Sequence, residues 1–266
     1  MSLDIDKLTD AQFEALPLVV EGESKIVRDA GKGYAVIKFK PTIYSFTSNR
    51  TGVVPGSDVL RLRATKVFVR ELLRNGVDHS YEAINDRFVL SRLIPRPPPI
   101  EVVVKSYHSG TSKHRYVGMT DHSIRQSHPF YAGKTFGPDG GYPTTLVRFD
   151  WRNPMWHPED QKKMLADEVL GDDLADWYID THVARRTALQ TQRILQDFLA
   201  NRDVMVYDLC LFITEDGQEV FGEISQDCGR FRHFDLGSLD KDVWRAGGSS
   251  AVVLEKWKTL LDIIEK

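Results

Sequence analysis

Five stretches of the chain gather side chains that could hold an anion or help to move a phosphoryl group. Residues 222–230 (GEISQDCGR) bring two carboxylates, a hydroxyl and a guanidinium together. They follow an apolar run, so strand alternation puts Glu223 and Ser225 on one face. At a strand end these groups could bind a polar anionic ligand. The alternative is an Asp227–Arg230 pair that only pins a loop. Residues 105–115 (KSYHSGTSKHR) surround Gly110 with small hydroxyls and cations. That composition suits phosphate, and equally a solvated basic turn. Residues 240–245 (DKDVWR) read alone as a helix start with compensating charges, and residues 21–25 (EGESK) as a glycine turn carrying a Lys. Residues 150–155 (DWRNPM) fit either an active-site loop or a loop anchored by tryptophan.

Other chemistries find no support. Walker A, GxGxxG, HExxH and GxSxG patterns are missing. The eight His show no ligand spacing. Cys210 and Cys228 have no CxxC partner, so neither a zinc knuckle nor a disulfide framework is indicated. A formal charge of -3 argues against a nucleic-acid binder. The N-terminus has no basic or apolar leader, and the aliphatic runs are far too short to span a membrane. The expected setting is cytoplasmic, with no membrane partner and with homo-oligomerisation left open.

The elements that must position these groups can be read from periodicity. With 266 residues, 41% hydrophobic and 27% charged, the chain makes one large domain or two packed lobes. A capping box at Thr9–Gln12 opens a short helix. Residues 18–20, 26–27 and 34–39 read as an antiparallel meander, and 41–55 as a loop. A helix runs from Gly56 to Asn75, with Val59, Leu62, Val69, Leu72 and Leu73 as its apolar face. Strands follow at 88–90 and 100–104. The Pro-rich residues 95–99 between them divide an N-terminal lobe, 1–96, from a C-terminal lobe, 97–266. Residues 106–157 read as mostly irregular. A helical period returns from Pro158 and runs to about Ala200, followed by a hairpin at 204–224 and a last helix at 250–264. This order predicts an α+β chain.

Taken in order, the motifs resemble those of SAICAR synthetase (phosphoribosylaminoimidazole-succinocarboxamide synthase), from about Val19 to Gly247. The run 223–230 and the later Asp240-Lys241-Asp242 are the most specific parts. The resemblance implies a two-lobed α+β fold, an antiparallel N-terminal sheet plus a larger C-terminal α/β lobe carrying the substrate site. It implies ATP and Mg2+ as cofactors, and small-molecule substrates: a phosphorylated azole ribonucleotide and an amino acid. The reaction implied is ligation of the amino acid, L-aspartate by default, to the azole carboxylate through an acyl phosphate. The setting implied is purine or nucleoside natural-product biosynthesis. An ATP-independent enzyme acting on a similar ligand, and a non-catalytic nucleotide-binding protein, stay open as alternatives.

By position, the resemblance assigns Lys105, Thr111, Asp208, Ser225 and Lys241 to substrate binding. Asp227, Arg230 and Glu223 become catalytic residues, Lys25 and Arg148 nucleotide-binding residues, and Glu223 also the metal ligand. The nucleotide half departs from the family pattern. Glu23 replaces a Lys in the opening turn, and Phe212 and Gly222 replace two acidic residues.

Overall fold

The computed structural model describes residues 3–45, 50–137 and 140–266, apart from the side chain of Thr111. Thr9 caps α1 (Asp10–Ala15) in a capping box with Gln12. The chain then forms β1 (Leu18–Glu21), β2 (Lys25–Gly31) and β3 (Tyr34–Phe39). The hairpin β4 (Thr42–Ser45) and β5 (Arg50–Val53) occupies much of the segment expected as a loop, and residues 46–49 lie outside the described residues. After α2 (Ser57–Arg74) come β6 (Tyr81–Ile84) and β7 (Phe88–Arg92). The first sheet is antiparallel, in the order β1-β2-β3-β7-β6.

The second sheet opens with β8 (Ile100–Tyr107), followed by a short helix α3 (Thr111–Arg115). β9 (Gly141–Trp151), a small hairpin of β10 (Trp156–His157) and β11 (Asp160–Met164), and β12 (Glu168–Leu170) come next. Helices α4 (Asp172–Ala175) and α5 (Thr181–Ala200) lead to β13 (Val204–Ile213) and β14 (Val220–Phe221). The chain closes with β15 (Gly229–His233), β16 (Gly237–Ser238), α6 (Asp242–Arg245) and α7 (Ser250–Ile264). The sheet order is β12-β9-β8-β13-β15-β16, with β14 paired to β13.

Two expectations are corrected here. Residues 141–151, read as irregular, form an eleven-residue strand. Val147 and Phe149 face the core while Arg148 and Asp150 face the opposite side, and that charged row disguises the alternation. Residues 158–171, read as the start of a helix, hold β11 and β12. The long helix begins only at Thr181, where the Asp180 carboxylate accepts from the Val183 N–H at 2.9 Å.

Helix α2 is buried on two sides. Leu60, Ala64, Val67, Phe68 and Leu72 join the large C-terminal core, whereas Leu62 and Val69 pack with Ile37, Phe39 and Val89 of the first sheet. Val59 and Leu73, expected on the apolar face, are exposed. Arg61, in the middle of the helix, is fully buried.

Candidate active site

The register of the second sheet builds the floor of a cleft. Asp208 on the central strand β13 lies opposite Lys105 on β8 and opposite Arg230 on β15. Three neighbouring strands therefore set a cation, an anion and a cation in one row. Lys105 Nζ and an Arg230 guanidinium nitrogen both donate to Asp208 Oδ2 at 2.7 Å. Burial alone would raise the Asp208 carboxyl, but Arg230 and then Lys105 override it and hold the group well below the usual carboxylate range. The 105–115 segment closes over this row. Gly110 has φ +60°, and a Cβ there would lie 2.4 Å from the Arg230 guanidinium, so only glycine lets the backbone approach so closely.

Lys241 sits beside this row. Its Nζ pairs with Asp227 at 3.0 Å and donates to the Tyr44 carbonyl at 3.0 Å, tying the β4–β5 hairpin across the cleft. Arg50 of that hairpin stacks on the Trp244 ring, 3.5 Å from its centroid. The Asp227–Arg230 pair weighed from the sequence does not form. Asp227 takes Lys241, and Arg230 takes Asp208 and Asp242.

Of the residues singled out from the sequence, Lys105, Asp208, Asp227, Arg230, Lys241, Lys25, Arg148 and Glu223 line one cleft of about 1260 Å3. Ser225 does not. It is fully buried, donates through Oγ to the Glu223 carboxylate and accepts from the Asp227 N–H at 3.1 Å, so it supports the site from behind. The side chain of Thr111 lies outside the described residues. Arg148 is held by Asp150 (2.7 Å) and reaches Ser112 Oγ (3.2 Å).

The same alternation that places Lys105 and Asp208 carries the floor to its other end, through Glu101 and Val103 on β8, Asp150 and then Arg152 beyond β9, and Cys210 and Phe212 on β13. At about 3.4 Å per residue, Asp208 and Phe212 are roughly 14 Å apart along the strand. Glu101 lies directly opposite Asp150. Burial, and after it the Glu101 charge, pushes the neighbouring Asp167 carboxyl up to about 7.

Glu223 stands differently from its expected role as a magnesium ligand. Arg61 grips both carboxylate oxygens at 2.8 Å each, and Lys25 Nζ adds a contact at 3.1 Å. The carboxylate is already neutralised by two cations, one of them wholly buried. Gly222 has φ +84°, and a Cβ there would lie 3.0 Å from the Phe212 ring. The two positions where the resemblance calls for acidic groups are thus packed against one another and supply no oxygen. Among the described residues, no three His, Cys, Asp or Glu side chains converge to hold a metal. Magnesium does not fit these side chains, and no step is routed through it. Arg61, which governs Glu223, escaped the sequence reading. Apolar residues around the whole circumference of α2 were the available sign of two-sided burial.

No family profile matches the chain. It is 27% identical, over 98% of its length, to the bifunctional cordycepin biosynthesis cluster protein 3 of Cordyceps militaris, and spans 34% of that relative. It is 23% identical to the phosphoribosylaminoimidazole-succinocarboxamide synthase of Sulfolobus acidocaldarius, covering 93% of this chain and 98% of the relative. The corresponding synthase structure from Ehrlichia chaffeensis superposes with a TM-score of 0.74 at 18% identity, over 93% of this chain and 98% of that one. A SAICAR synthetase in complex with ADP gives 0.73 at 22% identity, over 92% and 96%. At these identities the likeness shows the fold, the α+β architecture of the solved SAICAR synthetases. The chain is similar in sequence to SAICAR synthetases and shares their fold.

Proposed function

We propose that the chain is a ligase of SAICAR-synthetase type. It would join an amino acid, L-aspartate by default, to the carboxylate of an azole ribonucleotide. The observation that carries this reading is the Lys105–Asp208–Arg230 row beneath Gly110. A buried carboxylate held between two cations offers an acceptor to sugar hydroxyls while its partners face an anion. In this reading Arg230 and Lys105 hold the phosphate or carboxylate of the azole ribonucleotide, and Asp208 its ribose. Asp227 and Lys241 place the reacting carboxylate against the incoming amine. The chemistry that ATP supplies when bound is activation of that carboxylate by phosphoryl transfer. Lys25 and Arg148, both in the cleft, are the proposed contacts to it, and the ADP-bound structural neighbour supports a nucleotide in this fold. The cordycepin-cluster relative supports natural-product biosynthesis as the setting alongside purine synthesis.

The test is calorimetric titration with carboxyaminoimidazole ribonucleotide, followed by an assay for amide product and ADP. Arg230→Ala should weaken binding by about 1.5–3 kcal/mol, the range for hydrogen bonds to a charged group. Equal binding by variant and parent would remove the row from the substrate site. The Phe212–Gly222 packing favours a second reading, an enzyme acting on a similar ligand without ATP. Turnover in the absence of nucleotide would select it.

A further inference from the structure

At the far end of the cleft from Arg230, a fixed cation stands where a metal does not fit. Arg152 extends from the end of β9 into the cleft and is exposed, with its guanidinium 4.4 Å from the centroid of the Phe212 ring. Its backbone N–H donates to the Pro99 carbonyl at 3.0 Å, which anchors the stem of the side chain to the sheet. Among the described residues it makes no ion pair within 4.0 Å, unlike Arg61, Arg148 and Arg230, each of which is held by a carboxylate. The guanidinium lies over the Phe212 ring, and among the described residues its N–H donors have no hydrogen-bond partner. Beneath the ring lies Gly222, so nothing larger displaces it. The nearest negative groups acting on this region are Glu101 and Asp167. Burial pushes both carboxyls up, Asp167 to about 7, while the Arg152 charge pulls each of them down.

We propose that Arg152, seated on Phe212, binds the phosphates of a nucleoside triphosphate directly, and that this protein takes its nucleotide without a divalent cation. The inference rests on the nucleotide-using ligase reading and specifies how that end of the cleft meets its ligand. A planar fork of N–H donors can bridge two phosphate oxygens, which gives both charge and geometry where a metal ion would otherwise supply them. Lys25, also proposed as a contact, shares its ammonium with Glu223 and so offers less charge than Arg152.

The experiment is titration of the full chain with ATP, once in excess EDTA and once in excess magnesium, for the parent and for Arg152→Gln and Arg152→Lys. The parent should bind ATP in EDTA at least as tightly as in magnesium. R152Q should weaken binding in EDTA about tenfold or more, as expected for loss of charge-assisted hydrogen bonds. R152K should recover only part of the loss, because a point charge lacks the fork. The proposal is overturned if ATP binds only with magnesium, if binding is unchanged in R152Q, or if ATP fails to bind in either buffer. Magnesium-dependent binding that disappears in Glu101→Gln would show a metal site beside Arg152 instead. Titration of the parent with carboxyaminoimidazole ribonucleotide keeps the two readings apart. Retained azole binding with failed ATP predictions sinks this proposal alone, whereas absent azole binding sinks the ligase reading.

Discussion

Glu223 and Arg61 form the interaction on which single substitutions should act most strongly. Both are buried, the pairing is bidentate, and Arg61 also donates to the Lys40 and Thr42 carbonyls at 3.0 and 3.1 Å. Glu223→Gln keeps the shape but leaves a buried guanidinium without its counter-charge. We expect a stability loss of about 3–5 kcal/mol, read as a lower urea midpoint. A midpoint within error of the parent would show that water reaches Arg61. Gly110→Ala should lower stability as well, because φ is +60° and the new Cβ collides with the buried Arg230. Azole ribonucleotide binding should therefore fall at least as far as in Arg230→Ala, checked by the same titration.

At the scale of elements, the segment 79–80 between α2 and β6 connects the two sheets. His79 bridges to Val220, and the Ser80 N–H donates to the Val220 carbonyl at 3.0 Å. Burial holds the His79 imidazole down at about 3. Its ordinary value is 6.5, so between pH 6.5 and 3 the unfolded chain binds a proton that the native one refuses. Stability from this group is complete above 6.5 and is lost as the pH falls through that window. His79→Gln should flatten the stability profile there. Profiles of parent and variant that run parallel from pH 6.5 downward would contradict the assignment.

The elements also show what could be read from residues alone. The meander, α2, the first arm of the 204–224 hairpin and α7 appear as expected, whereas the hairpin's second arm, read over 219–224, is a strand only at Val220–Phe221. β9 departs from its reading too, because alternation on a strand facing a charged cleft looks like scattered polarity. β4 and β5 are short and rich in turn formers, so local composition hides their pairing. In the site, the row of Lys105, Asp208 and Arg230 was legible as residue types in motif order. Their direct opposition was not, since register between strands, 103 residues apart for Lys105 and Asp208 and 22 for Asp208 and Arg230, is fixed only by the folded sheet. Arg61 lies outside every motif, as a charge inside a helix. Arg152 falls within the 150–155 stretch, but it stands just beyond a hidden strand, so its place in the cleft was not legible.

For the whole molecule, the decisive feature is the wedge formed by α2. Leu60, Val67, Phe68 and Leu72 are spent on the C-terminal core, although they precede the Pro-rich crossing at 95–99 in the chain. Each large apolar side chain contributes about 1.5–3 kcal/mol when buried, and a domain's total margin is about 5–15 kcal/mol. Residues 97–266 alone would forfeit most or all of that margin. The partition into two sheets is thus geometric and does not mark separable parts. Expressed apart, residues 1–96 and 97–266 should each stay unfolded by circular dichroism, and mixing them should restore native structure. The chain then has the logic of a two-piece lock: neither half keeps its shape unless the other half's key is already inside it.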